Sequence, residues 1–237
     1  MESSRDDLLR LLTLTAHELR TPLSVTGGYL RMLTSERLGP LNDAQRKAVV
    51  AAEKSCEQLL ALASDLSAIA RIERGEVPLN RVPVQASAII RDAIAGYPAS
   101  DTHSITITAD GEEDATIVVD PVRARNALQS LITVVARTAS AGATIRVSRV
   151  IHHENGRPFL YVIIAQAGQA DAETVTDHRH ASPFEPWDGG LGVGLPLAVR
   201  FLRLEGGDVR GLDTEAPGLV ISLPLDTGAR ARSQADA

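Results

Sequence analysis

One cysteine in 237 residues, Cys56, leaves no partner for an internal disulfide and fits a reducing compartment. Lysine is nearly as scarce: Lys47 and Lys54 are the only two among 24 basic residues, and the net charge is −6. With no basic block along the chain, a nucleic-acid partner is excluded. The stretch Met1-Glu2-Ser3-Ser4-Arg5-Asp6-Asp7 lacks the apolar core of a signal peptide. Long apolar runs are also missing, since Leu160 to Ala165 is far too short to cross a bilayer. A cytoplasmic chain without a membrane segment is therefore expected. The 44% hydrophobic content is enough for a real core, and the length fits two domains.

What is present first is helical. From Asp6 to Leu33, Leu8, Leu12, Leu19, Leu23, Leu30 and Leu33 alternate at spacings of three and four, with Thr15 and Thr26 filling the gaps. Gly39-Pro40 breaks this helix, and Asn42 or Asp43 can cap a second one with a seam at Ala48, Ala52, Ser55, Leu59, Leu62, Leu66 and Ile69. The fold class expected here is an all-α antiparallel helical hairpin. Because a lone hairpin buries only one face of each helix, this seam argues for a homodimer through residues 6–72, forming a four-helix bundle.

The chemistry lies in Ala16-His17-Glu18-Leu19-Arg20-Thr21-Pro22-Leu23. Residues four apart on a helix sit nearly above one another, so His17 and Thr21 share a face and Glu18 lies beside the imidazole. Imidazole is a nucleophile at neutral pH, a neighbouring carboxylate can hold its tautomer, and a hydroxyl one turn away can orient water. His17 is turned from both Thr15 and Leu19 by roughly 200°, so it faces solvent. Pro22 has no N–H for the carbonyl of Glu18, and Gly27-Gly28 follows, so a local bend is expected here.

From about Val77 the pattern changes to alternating strand and helix. Strands are predicted at 104–108, 115–119, 144–148, 160–164 and 219–223 from β-branched density and period-two patterning. Helices are predicted at 86–95, 121–139 and 195–205, with Asp120-Pro121 as a start and Gly206-Gly207 as a stop. This order implies an α/β sandwich with helices on one face of a mixed sheet.

His17-Glu18-Leu19-Arg20-Thr21-Pro22-Leu23 in a helical hairpin, followed by an α/β domain containing Gly189-Gly190-Leu191-Gly192-Val193-Gly194-Leu195, resembles the transmitter region of two-component sensor histidine kinases. The resemblance implies a dimerisation and histidine phosphotransfer domain over 1–76, an ATPase-type α/β sandwich over 77–226, and a short tail over 227–237, expected to be disordered from its small, polar and charged residues. It also implies ATP and Mg²⁺ as cofactors and the receiver domain of a response regulator as partner. His17 would be the phosphoacceptor, Glu18 the acid assisting it, and Thr21 the group that positions water for dephosphorylating that regulator. Ser130, Arg137, Gln166, Gly168, Gly190, Gly192 and Gly194 fall at nucleotide-site positions of the family.

The chain departs from the family pattern in two regions, the helix around Val134 and the loop from Gln166 to Ala170. Val134 stands where the family's metal-binding asparagine belongs, with Ser130 at the other asparagine, and valine cannot ligate a hard cation that demands oxygen donors. Asn126 lies a turn or more from the needed site. Gln166 replaces the aspartate that accepts from the adenine amino group, keeping a carbonyl but losing the charge, and Ala170 replaces a glycine. Gly190, Gly192 and Gly194 precede a helix whose N-terminal amides could cradle anionic oxygens, with Arg137 as a basic neighbour. His178 and His180 lie in a loop without a carboxylate or thiolate set, so no metal site is assigned. The preferred reading is a phosphoryl-carrying signalling protein with a degenerate ATP site; the alternative is an active ATP-dependent histidine autokinase with a divergent one.

Overall fold

The computed structural model describes residues 2–97, 104–111, 114–154, 156–170, 181–183, 193–212 and 218–225. The expected tail at 227–237, the histidines His178 and His180, and the glycines Gly190 and Gly192 lie outside these residues. The chain divides between Val77 and Pro78 into two compact units.

The first unit is a pair of long helices, α1 (Glu2–Thr34) and α2 (Asp43–Glu73). Helix α2 starts on a reciprocal capping box: Gln45 N–H donates to Asn42 Oδ1 at 2.9 Å, and Asn42 N–H donates to Gln45 Oε1 at 3.0 Å. Helix α1 runs unbroken through Pro22, and the Thr26 hydroxyl donates to the Pro22 carbonyl at 2.9 Å. The face that α1 turns to α2 carries small residues, with Ala16 and Gly27 buried, against Cys56, Ala63 and Ala70 of α2. The Cys56 thiol donates to the Leu23 carbonyl at 3.1 Å, and a Cβ on Gly27 would stand 3.5 Å from Cys56 Sγ, which reflects how closely the helices approach.

The packing face differs in part from the sequence seam. Leu8, Leu19, Leu59 and Leu62 are exposed in the single hairpin, as are Ala48, Ala52 and Ser55. A three-four alternation marks apolar positions without saying which neighbour covers them, and here the partner helix covers only one flank of the stripe.

The second unit contains β1 (Val82–Gln85), α3 (Ala86–Ala95), β2 (Thr106–Asp110), β3 (Thr116–Val119), α4 (Pro121–Thr138), β4 (Thr144–Glu154), β5 (Arg157–Gln166), β6 (Ala181–Pro183), α5 (Gly194–Leu204), β7 (Asp208–Leu212) and β8 (Gly218–Pro224). Strands β1 and β3 form a two-stranded antiparallel sheet. The main sheet has the order β2-β4-β5-β8-β7-β6; β2 and β4 are parallel and the other pairs antiparallel. The mixed sheet with helices agrees with the sequence reading. Strands β1, β6 and β7 are additional to it, and the hairpin β4–β5 is longer at both strands than predicted.

Helices α3, α4 and α5 pack on one side of the main sheet through Ile90, Leu131, Ile132, Leu195 and Leu202, against Ile145, Leu160, Ile164 and Ile221. Each such side chain contributes about 1.5–3 kcal/mol relative to an exposed position. The alternate residues of β5, Tyr161, Ile163 and Ala165, join Leu212 and Val220 in a smaller cluster. Strand β5 is therefore apolar on both faces, which is why it reads as a continuous hydrophobic run.

One polar cluster sits inside this unit. Glu205 accepts from Arg81 Nε at 2.6 Å and from the Asp120 backbone N–H at 3.1 Å. Asp120 caps α4 by accepting from Arg123 N–H at 3.2 Å, and its other oxygen accepts from Asn80 N–H at 3.2 Å. The segment entering the unit, the start of α4 and the end of α5 are thus joined through two carboxylates.

Candidate functional site

His17, Glu18 and Thr21 occupy α1, and all three are exposed. Ala16, immediately before His17, is 1% exposed and faces α2. Burying Ala16 fixes the phase of the helix and turns the imidazole outward, as the sequence geometry predicts. No hydrogen bond joins Glu18 to His17 among the described residues. Such contacts commonly tighten only when the reacting group arrives.

Of the five threonines of α1, Thr15 and Thr21 make no side-chain hydrogen bond among the described residues. Thr13, Thr26 and Thr34 donate to the carbonyls of Leu9, Pro22 and Leu30, each four residues back. Thr21 makes no such bond among the described residues, so its hydroxyl remains available to a water or a phosphoryl oxygen. Arg20, half-buried and three residues after His17, reaches across the hairpin to Ser64 Oγ at 3.4 Å. The sequence reading assigned Arg20 and Ser64 no role; the signal for Arg20 was its spacing of three from His17.

Of the nucleotide-type positions, Ser130, Arg137, Gln166 and Gly168 lie in the second unit. Ser130, Val134 and Arg137 follow one another along a face of α4; Ser130 and Val134 are half-buried and Arg137 is exposed. Val134 packs against the apolar core. Asn126 is exposed and its Oδ1 accepts from Arg125 Nε and Nη2. Gln166 ends β5 and its carbonyl accepts from Gln169 N–H at 3.1 Å, closing a tight turn. Gly168 holds that turn at φ +86°, a left-handed conformation suited to glycine. Ala170 is half-buried on the smaller apolar cluster. Gly194 is the first residue of α5, whose N-terminal turn carries no acidic side chain.

No group of three or more His, Cys, Asp or Glu able to hold a metal occurs among the described residues. No helix among them is long and apolar enough to cross a membrane.

Residues 7–75 match the family model of the His Kinase A (phospho-acceptor) domain. The whole chain aligns at 28% identity with 46% of an uncharacterised sensor-like histidine kinase of Rhizobium meliloti (strain 1021). A further 26% identity covers 83% of the chain and 20% of the cell-division control histidine kinase PdhS of Brucella abortus. The chain thus spans less than half the length of these curated relatives. Among solved structures, full-length ShkA in complex with AMPPNP superposes with TM-score 0.68 at 23% identity, over 91% of this chain and 46% of that one. The Acinetobacter baumannii histidine kinase AdeS gives TM-score 0.55 at 16% identity, over 89% of this chain and 98% of that one. These two likenesses concern the fold.

Proposed function

We propose that the chain, whose residues 7–75 match the His Kinase A (phospho-acceptor) domain, is a sensor histidine kinase transmitter that carries a phosphoryl group on His17. It exchanges that group with the aspartate of a response regulator receiver domain, or removes it. The observation that carries this reading is the exposed His17 on a helix whose buried Ala16 fixes its phase, with the unengaged Thr21 hydroxyl one turn further along. Glu18 holds the imidazole in the reactive tautomer, and Thr21 orients the water that hydrolyses the regulator's acyl phosphate. The His Kinase A domain implies dimerisation. In this reading a second copy covers the exposed leucines Leu8, Leu19, Leu59 and Leu62, over residues 6–72.

The ATP site is degenerate in this reading. The residues present do not fit Mg²⁺: Val134, half-buried against the core, offers hydrocarbon where an oxygen donor is required. Ser130, Arg137, Gln166, Gly168 and Gly194, with Gly190 and Gly192, retain polar or glycine character. They support the second reading, an active autokinase with a divergent site, as does the nucleotide analogue bound to the structurally similar ShkA. Cytoplasmic residence and the boundaries 1–76, 77–226 and 227–237 belong to the same proposal.

Two assays separate the readings. In the first, labelled ATP with and without Mg²⁺ is offered to the chain and to His17→Ala, alongside calorimetric nucleotide titration. Acid-labile label lost in His17→Ala, together with tight Mg-dependent binding, overturns the degenerate-site reading. In the second, a phosphorylated receiver is offered, and loss of its phosphate through His17 or Thr21 supports phosphoryl exchange. A receiver whose phosphate decays at the same rate with wild type, His17→Ala and Thr21→Ala overturns it.

A further inference from the structure

A phosphoryl group on an imidazole brings close to two negative charges onto an exposed helix face, and nothing in His17 or Glu18 offsets them. From Thr13 to Thr21 the only cation is Arg20. It lies three residues after His17, on the adjoining part of the same helix surface. Arg10, a further turn back, is paired with Asp6 at 2.9 Å, and Arg74, the C-cap of α2, is paired with Glu76 at 2.7 Å.

Arg20 has no such commitment. Among the described residues no carboxylate pairs with it, and its contact is Ser64 Oγ across the hairpin at 3.4 Å. The Ser64 hydroxyl donates its proton to the Leu60 carbonyl at 2.9 Å, which leaves its lone pairs toward the guanidinium. The Arg20 side chain is thereby tethered at one nitrogen and keeps most of its five N–H donors for another acceptor. A planar, permanently charged fork half-withdrawn from water suits the oxygens of a phosphoryl group.

We propose that Arg20, oriented across the hairpin by Ser64, is the charge partner of the phosphoryl group on His17. The proposal rests on the reading of His17 as a phosphoryl carrier. In transfer from a receiver, the phosphorus–oxygen bond to the aspartate breaks as a phosphorus–nitrogen bond to the ring forms. The aspartate leaves as its carboxylate, and the ring's second nitrogen keeps its proton until bulk water takes it. Arg20 donates to the phosphoryl oxygens throughout, and Ser64 is a positioning residue that acts through Arg20.

The test uses potassium phosphoramidate, which needs neither ATP nor a receiver: its phosphorus–nitrogen bond breaks and ammonia leaves as His17 takes the phosphoryl group. The rates of His17 labelling and of label loss to water are followed by phosphorus NMR for wild type, Arg20→Ala, Arg20→Lys and Ser64→Ala. Helix content is checked by circular dichroism. Arg20→Ala is expected to label about tenfold to a hundredfold more slowly, the worth of a hydrogen bond to a charged group. Arg20→Lys should recover part of that loss, and Ser64→Ala should label a few-fold more slowly with unchanged helicity. Labelling of Arg20→Ala at the wild-type rate overturns the proposal. If Arg20→Ala loses helicity, the exposed Ser64→Ala decides, and a wild-type rate there overturns it. A wild-type chain that takes no label on His17 overturns the carrier reading itself, an outcome distinct from equal rates among labelled variants.

Discussion

Glu205 Oε2 lies 2.6 Å from Arg81 Nε, with the carboxylate side chain at 0% exposure and the arginine at 41%. Its second oxygen accepts the backbone N–H of Asp120, which itself caps α4. Truncating Glu205 leaves that buried N–H without an acceptor and the guanidinium without its charge partner. Glu205→Ala is expected to destabilise the second unit by about 2–4 kcal/mol. Glu205→Gln, which keeps an acceptor oxygen, should lose less. Differential scanning calorimetry, with the two units' transitions resolved, reads the difference; equal effects of both variants would remove the charge from the explanation.

Gly207 follows the Gly206 stop of α5, where φ is +81°. A Cβ on Gly207 would stand 2.4 Å from the Ser222 carbonyl oxygen, and backbone of β8 cannot yield as a side chain can. Gly207→Ala should cost about 2–4 kcal/mol of stability. Gly142→Ala meets open space but sits at φ +77°, so it should cost only about 1 kcal/mol of backbone strain. Thermal denaturation of the two variants side by side checks the ordering.

How much of this was readable in advance follows from which interactions are local. An N-cap at Asn42 or Asp43, the Asp120-Pro121 start of α4 and the outward phase of His17 are fixed within a turn or two of chain, and each was legible, with Asn42 proving to be the cap. The intrachain face of the hairpin was not, because Leu8 and Leu19 carry the same spacing as the buried positions while only one flank meets α2. Strands β1 and β7 escaped for other reasons: Pro83 interrupts Val82-Pro83-Val84-Gln85, Asp208-Val209-Arg210-Gly211-Leu212 has Val209 as its one β-branched residue, and pairing with distant partners makes both of them strands. In the candidate site, His17, Glu18 and Thr21 stand out as one contiguous motif. Ser64 acquires its relation to Arg20 from antiparallel packing 44 residues later.

The carboxyl of Asp114 gives a pH handle on the second unit. Burial works against its charged form, but the hydroxyl and amide of Ser87, the amide of Ala115 and the charge of Arg149 together hold it below its ordinary value of 3.8. A depressed folded-state value contributes stability that is fully present above 3.8 and is lost as pH falls through the lower folded value. Wild type should therefore be more stable than Asp114→Asn at pH 6, and the gap should close on acidification. Melting temperatures of both proteins between pH 6 and the acid transition, at constant ionic strength, test this; a gap that widens toward acid would contradict the sign.

Val134 tests whether the nucleotide site is limited by one missing oxygen donor. It is half-buried on α4, one turn beyond Ser130 and one turn before the exposed Arg137, and packs partly against the core. Val134→Asn supplies a carbonyl oxygen of the kind a hard cation takes, while exchanging apolar packing for an amide. We expect about 1–2 kcal/mol lower stability of the second unit, the price of burying a polar group incompletely paired. We also expect a gain of Mg²⁺-dependent nucleotide binding over wild type in calorimetric titration. The paired change Val134→Asn with Gln166→Asp should gain more than either alone, because one residue serves the cation and the other the adenine amino group. Unchanged nucleotide affinity in the paired variant, with the fold intact, would mean that the family register on α4 is wrong or that the remaining positions cannot form a site. Affinity in wild type already equal to that of the variant would mean that Val134 was never the obstacle.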